Sequence, residues 1–255
     1  MIKNSRQGPL IRAEAVSRVY PISGNRSVIG IHRIDLRIDP GELVVIKGES
    51  GSGKSTLLSL LGGLDGPSEG RLFVAGRKLH RARPEELTQF RRTAVGMVFQ
   101  SFNLLPTLTV LENVALPSLL AGKPRGPART RAKELLDWLS MTPRLDHMPG
   151  QLSGGEMQRT AIARALINDP EIILADEPTG NLDSRNAAAV IALLADLNRR
   201  WQRTVLIATH SDLADPHATV RIRLKDGAIV AEGSGANTAT GERPGHGRPK
   251  KRGTP

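Results

Sequence analysis

Three short stretches carry residues whose types and spacing suit phosphate chemistry. The first is "KGESGSGKST", residues 47–56, directly after the apolar run Leu43–Ile46. Gly48, Gly53, Lys54 and Ser55 fit the pattern G-x-x-x-x-G-K-[ST]. Glycines let successive backbone N–H groups wrap a phosphate, and a lysine in this place reaches the β- and γ-oxygens. A helix opening at Lys54 turns its positive dipole end toward the same anion. Ser50, Gly51 and Ser52 complete the loop, Thr56 follows it, and Ser55 is placed to set its hydroxyl on Mg²⁺. Glu49 is an unusual acid beside phosphates and is expected to face solvent.

The second stretch, "EIILADEPTGNLDS" (171–184), reads as a buried strand ending in Asp176 and Glu177. Adjacent carboxylates after four apolar residues are costly unless a cation or polar partner meets them. Asp176 suits a metal, and Glu177 next to it suits an attacking water. The plainer alternative is a solvated strand end before the Pro178 turn. The third stretch, "QLSGGEMQRT" (151–160), sets a loop-like Ser153-Gly154-Gly155 before a helix read from Glu156 onward. A helix start with exposed N–H groups is an anion site, and the residues alone do not say whose anion it takes.

These stretches need elements to hold them. "LVVI" (43–46), "IILA" (172–175) and "TVLIA" (204–208) are continuous apolar runs, as in a parallel sheet covered on both faces. Ile34, Leu36 and Ile38 alternate, as in a half-buried strand. Val190, Leu193, Leu194 and Leu197 follow helical spacing, as do Ala132, Leu135, Leu136 and Leu139. Strand–helix alternation predicts an α/β fold, with residues about 101 to 160 as a helical insertion lacking strand signals. Trp138 and Trp201 are assigned to packing.

The chain has 255 residues, no cysteine and a net charge of +11. A substantial core is affordable at this length, and no disulfide framework or thiolate metal site is available. The N-terminal residues lack the apolar core of a secretory signal, and no apolar run approaches the ~20 residues of a membrane span. Residues 234–255 hold five Lys or Arg against one acid and little apolar content, so a disordered basic tail is expected after a domain over 1–233. Its "RPKKR" cluster is either a solvated end or a contact for anionic lipid or nucleic acid. Aromatic residues are 3% of the chain, which disfavours a stacking-type nucleic-acid binder.

GESGSGKS, LSGGE, ILADEPTGNLD and IATH, in that order, resemble the nucleotide-binding domain of an ABC transporter over about residues 10 to 233. The resemblance implies a P-loop NTPase core with a mostly parallel sheet, an N-terminal antiparallel β subdomain and an inserted helical subdomain. It implies ATP and Mg²⁺ as ligands, with the metal held by Ser55, Gln100 and Asp176. It implies a homodimer in which Ser153, Gly154, Gly155 and Glu156 of one subunit serve the γ-phosphate held by the other.

Residue by residue, Gln100 in "MVFQSFNLL" matches the glutamine that contacts metal and water and senses the membrane partner. Asp183 matches the acid linking the two sites across the dimer, or is simply a helix-start acid. His210 matches the histidine at the γ-phosphate. Tyr20, the only tyrosine, matches the aromatic that stacks on adenine, or is an ordinary tyrosine before Pro21. Lys54, Gln100, Glu177 and His210 are the catalytic set.

"GGLDGPSEG", "FQSFNLLPTLTVLENV" and "DEPTGNLDS" most resemble the subunits serving lipoprotein release and macrolide export. That branch implies an ATPase at the cytoplasmic face of the membrane, driving a separate permease, with export or extraction of a lipophilic cargo. The stretch "HSDLADPHATV" is shorter than is usual in the family, which leaves the helix after His210 in doubt. The alternatives are a soluble ABC-type ATPase acting on ribosome, DNA or an envelope complex, and a P-loop kinase. Only 51 residues separate Gln100 from Leu152, too few for a coiled-coil arm, and a kinase leaves LSGGE without a role.

Overall fold

The computed structural model describes residues 8–23 and 26–234. Strands β1 (Ile11–Ile22) and β2 (Arg26–Ile38) form a long antiparallel pair. Strand β3 (Leu43–Lys47) leads into helix α1 (Lys54–Leu61). Strands β4 (Glu69–Val74) and β5 (Arg77–Lys78) add to the first pair, giving a four-stranded antiparallel sheet in the order β2-β1-β4-β5. Alternation does its work here: Ile34, Leu36 and Ile38 of β2 are buried while the residues between them are exposed.

Helix α2 (Pro84–Thr93) precedes β6 (Val95–Phe99), and α3 (Val110–Leu120) and α4 (Arg125–Trp138) follow. Then come α5 (Gly154–Leu166), β7 (Ile172–Asp176), α6 (Ser184–Trp201) and β8 (Thr204–Ala208). Two last strands, β9 (Val220–Lys225) and β10 (Ala228–Ser234), complete a six-stranded sheet ordered β10-β9-β3-β8-β7-β6. β9, β3, β8, β7 and β6 run parallel, and β10 pairs antiparallel at the edge. The fold is α/β, as expected.

The continuous apolar runs are explained by burial on both sides. Val45, Ile173, Ala175, Val205 and Ile207 face a core filled by α3 to α6. Their neighbours Val44, Ile46, Ile172, Leu174, Leu206 and Ala208 face a second core with α1 and the antiparallel sheet. Side chains alternate faces along a strand, so only an apolar residue at every position satisfies both cores. Trp138 and Trp201 pack with ring centroids 4.8 Å apart where α4 meets the end of α6.

Local expectations change at three places, the signature-helix start, the edge of the insertion and the start of the tail, and the stretch after His210, left in doubt, is resolved. The helix at LSGGE, which resembles the family's signature motif and is called the signature helix below, starts at Gly154, two residues before Glu156, because Ser153 caps it and both glycines lie in its first turn. It runs unbroken through residue 160, so the edge of the helical insertion falls inside α5. Ser234, read as the first tail residue, is the last residue of β10 and pairs with Val220. The rest of the tail lies outside the described residues. After His210 the chain makes only a 3₁₀ stretch, Asp212–His217, with Pro216 inside it. No helix among the described residues is long and apolar enough to cross a membrane.

Candidate nucleotide site

Parallel strands deliver functional residues to one edge of a sheet, beyond their C-terminal ends. Here β3 ends at the phosphate loop, β6 at Gln100, β7 at Asp176 and Glu177, and β8 two residues before His210. Register fixes their relative height: Phe99 pairs with Asp176, and Asp176 with Ala208.

The phosphate loop turns through glycines that a side chain would block. Gly53 has φ 102°, and a Cβ there would lie 3.1 Å from the Ile31 side chain. Lys54 is buried, and its Nζ donates to the carbonyls of Gly48 (2.8 Å) and Glu49 (3.1 Å). The same ammonium lies 3.7 Å from Glu177. The Glu49 side chain faces solvent, as its chemistry required.

Glu177 adopts φ 44°, a left-handed conformation that costs a non-glycine residue about 1 kcal/mol or more. Its N–H donates to Ala208 O at 2.8 Å, which holds the strained turn against β8. His210 Nδ1 lies 3.0 Å from Glu177 Oε2. Glu177 therefore stands between an ammonium and an imidazole.

Beside it, Asp176 is partly buried and accepts a hydrogen bond from Ser55. Burial pushes its carboxyl above the usual range, the Ser55 bond opposes this, and the charge of Glu177 adds to it. One carboxylate oxygen, Oδ1, is buried with no hydrogen-bond partner among the described residues. The Ser55 hydroxyl and the orphaned Asp176 oxygen, beside phosphate oxygens held by the N–H groups of the loop, form an all-oxygen donor set that fits Mg²⁺.

Gln100 does not join this cluster by a direct bond. Its Nε2 faces Asn181 Oδ1 at 3.5 Å, and Asn181 Nδ2 donates to the Gln100 carbonyl at 3.0 Å. The second and third residues after it, Phe102 and Asn103, run through the left-handed region. Arg164 of α5 donates to both of their carbonyls, so the signature helix holds the glutamine's loop.

Tyr20 sits over the other end of the phosphate loop. A Cβ at Gly30 would lie 2.8 Å from the Tyr20 ring and 2.9 Å from the Thr56 methyl. Only glycine lets the three approach. The Tyr20 hydroxyl donates to Asp65 at 3.0 Å, Arg18 pairs with the same carboxylate at 2.8 Å, and its guanidinium lies over the ring.

The signature residues form a separate station. The Ser153 hydroxyl accepts from Glu156 N and donates to Glu156 Oε2 at 2.9 Å, a capping box. Gly155 packs against Asn186, leaving no room for a Cβ. Asp183 caps α6, accepting from Asn186 N (2.9 Å) and its side-chain amide (2.6 Å). Among the described residues, no hydrogen bond or ion pair joins Ser153–Glu156 to Lys54, Glu177 or His210. Thus Lys54, Asp176, Glu177 and His210 come together, while the signature and Asp183 stand apart with one another.

Sequence reasoning passed over Asn181, Asn186, Asp65, Gly30 and Arg144. Asn181 and Asp65 stand in quoted stretches, but the other three carry no local signal. Arg144 binds Glu156 at 2.8 Å. That guanidinium, with the Ser153 N–H and hydroxyl, holds the Glu156 carboxyl down to about 2. A depressed carboxylate stabilises the fold fully above its unfolded pKa and loses that effect as pH falls through its folded value. Arg144 is well exposed, so screening keeps the contribution small. Glu156→Gln is expected to cost about 1 kcal/mol at pH 7. The deficit should shrink below about pH 4.5 and vanish below about 2. Urea unfolding of both proteins across that range checks it.

The family model described as "ABC transporter" matches residues 31–180. The macrolide export ATP-binding/permease protein MacB of Sodalis glossinidius is 48% identical over 224 residues, covering 88% of this chain and 34% of that protein. The uncharacterized ABC transporter ATP-binding protein MJ1508 of Methanocaldococcus jannaschii is 45% identical over 221 residues, covering 87% of this chain and 98% of that protein. A dimeric post-hydrolysis structure of the ATP-binding cassette MJ0796, bound to ADP and Pi, superposes with a TM-score of 0.82 at 40% identity, over 89% of this chain and 99% of that one. The chain spans about a third of the length of the MacB relatives it matches. A phosphate loop, a paired acid and histidine at one sheet edge, a capped signature helix and these likenesses converge: the chain belongs to the ABC transporter family, as an ATPase cassette.

Proposed function

We propose that two copies of this chain close head to tail around two Mg-ATP and drive a separate membrane permease from its cytoplasmic side. The observation that carries this reading is the separation within one chain. The phosphate loop, Glu177 and His210 form one half of a site, and the Ser153-capped helix presents its N-terminus elsewhere. The dimeric cassette structures of MJ0796 support completion by a second copy.

In this reading the backbone from Ser50 to Thr56 cradles the phosphates, and Lys54 turns from the Gly48 and Glu49 carbonyls to the β/γ oxygens. Tyr20, fixed by Asp65 and backed by Arg18, stacks on adenine with its other face. Ser55, Asp176 and Gln100 would hold Mg²⁺, which neutralises phosphate charge when bound. Glu177 orients the attacking water in line with the γ-phosphorus and draws its proton. His210, which bonds Glu177 in the free chain, donates toward the γ-phosphoryl group once nucleotide is bound. Ser153 and the N–H groups of Gly154 and Gly155 meet that phosphate from the second copy, and Asp183 links the two stations through Asn186. Most of the rate enhancement comes from positioning and charge neutralisation.

The MacB relatives are named as macrolide export ATP-binding/permease proteins, which supports a reading of export coupled to a permease. Reconstituting the chain with a permease bearing a large extracytoplasmic domain should stimulate ATP hydrolysis several-fold. Unchanged hydrolysis and no co-purification would count against the transport role. Gly30→Leu tests the adenine platform: it should raise KM for ATP about tenfold by displacing Tyr20, with kcat within twofold. An unaltered KM would remove Tyr20 from the site.

A further inference from the structure

Lys47, the last residue of β3, stands immediately before Gly48 of the phosphate loop. A lysine closing a buried strand would ordinarily extend to solvent, yet this side chain is only 20% exposed. Its ammonium donates to the Ser211 carbonyl at 2.7 Å and to Asp212 Oδ1 at 2.6 Å, and lies 3.1 Å from Asp215 Oδ2. Three acceptors match the three N–H donors of an ammonium, which fixes the side chain.

All three acceptors lie in the short segment after His210. That segment is a 3₁₀ stretch with a proline, seated in the core by Ala214 and joined at its start by Ser211 N–H to Thr209 Oγ1 at 3.1 Å. The His210 side chain is 74% exposed, and among the described residues its bond to Glu177 is its one side-chain hydrogen bond. Its backbone is pinned on one side by Thr209 N–H to Ile46 O at 3.0 Å, which is the strand β3 again. On the other side, the Ser211 carbonyl is held by Lys47. Arg221 of β9 ties the far end through the Asp215 carbonyl at 2.7 Å.

We propose that Lys47 is a positioning residue for His210, tying the histidine's turn to the entrance of the phosphate loop so that the two hold a fixed spacing. The inference rests on the reading that His210 acts at the γ-phosphate. Lys47 itself touches neither the loop's cradle nor Glu177. Its removal therefore affects turnover through the histidine and leaves nucleotide binding to Lys54 and the backbone.

The test is a double-mutant cycle on the full chain. Lys47→Met, close in size and without charge, should lower kcat about five- to tenfold and change KM for ATP less than twofold. Lys47→Arg, which keeps a cation on the same carboxylates, should restore at least half of the wild-type rate. In a His210→Ala background, Lys47→Met should have no further effect, because the residue it positions is gone.

An equal loss of rate with and without the histidine would overturn the proposal, as would a Lys47→Met enzyme with normal kcat. A His210→Ala protein with wild-type turnover would instead sink the role given to His210, and so separates the two failures. If Lys47→Met does not fold, Asp212→Asn with Asp215→Asn removes the carboxylates from the other side. That pair should lower kcat about threefold, again only while His210 is present, and an effect independent of His210 would refute the tie.

Discussion

Glu177→Gln is expected to lower kcat at least a hundredfold while ATP still binds, and to trap an ATP-bound dimer. A positioned base contributes about 10²–10⁴ in rate, and the amide keeps the size of the glutamate while losing its charge and basicity. The geometry makes the separation of binding from turnover sharp. Glu177 lies 3.7 Å from Lys54 and 3.0 Å from His210, but the phosphate cradle is built from other residues. Removing its charge also relieves Asp176, whose carboxyl the neighbouring charge disfavours in ionised form. Binding should therefore be unchanged or tighter. Gel filtration with ATP and Mg²⁺ that shows only monomer, together with unaltered phosphate release, would refute this role.

The second large effect comes from mixing two inactive proteins. Lys54→Ala loses the ammonium at the phosphates but keeps its signature helix. Ser153→Arg keeps its phosphate loop, but a bulky cation replaces the hydroxyl that caps α5. Each alone should retain under about 1% of wild-type turnover. In a mixed dimer one site carries both lesions, and the other pairs an intact loop with an intact signature. Mixing should restore up to about half of wild-type activity per mixed dimer. If signature and loop served one another within a chain, no ratio would rescue. Two sites that fire only together would also stay silent, and a structural readout separates that case.

Much of this site could be read from the sequence because its chemistry is written in local runs. The phosphate loop, Asp176 with Glu177, and His210 each follow a continuous apolar strand. The parallel sheet then does the rest by bringing strand ends to one edge. What escaped were pairings between residues far apart in the chain. Gln100 meets Asn181, Tyr20 meets Asp65, and Gly155 meets Asn186 through packing that no spacing encodes. Ser153-Gly154-Gly155 looked like a turn because glycine disfavours helices. The capping box and the close approach of α6 outweigh that propensity. Lys47 gave no signal at all, since its three acceptors belong to a segment more than 160 residues away.

In the proposed dimer each site takes its phosphate loop from one copy and its signature from the other. The chain has no cysteine, so engineered thiols have no background. Ser50 in the loop and Ser153 at the start of α5 are both exposed, whereas Ser52 is buried and would hide a thiol. Mixing Glu177→Gln proteins carrying Ser50→Cys and Ser153→Cys separately, then oxidising, measures the geometry directly. A shared site predicts a disulfide-linked dimer that forms with ATP and Mg²⁺ and not without them. No cross-link with ATP, or one that forms equally without it, would contradict the shared site.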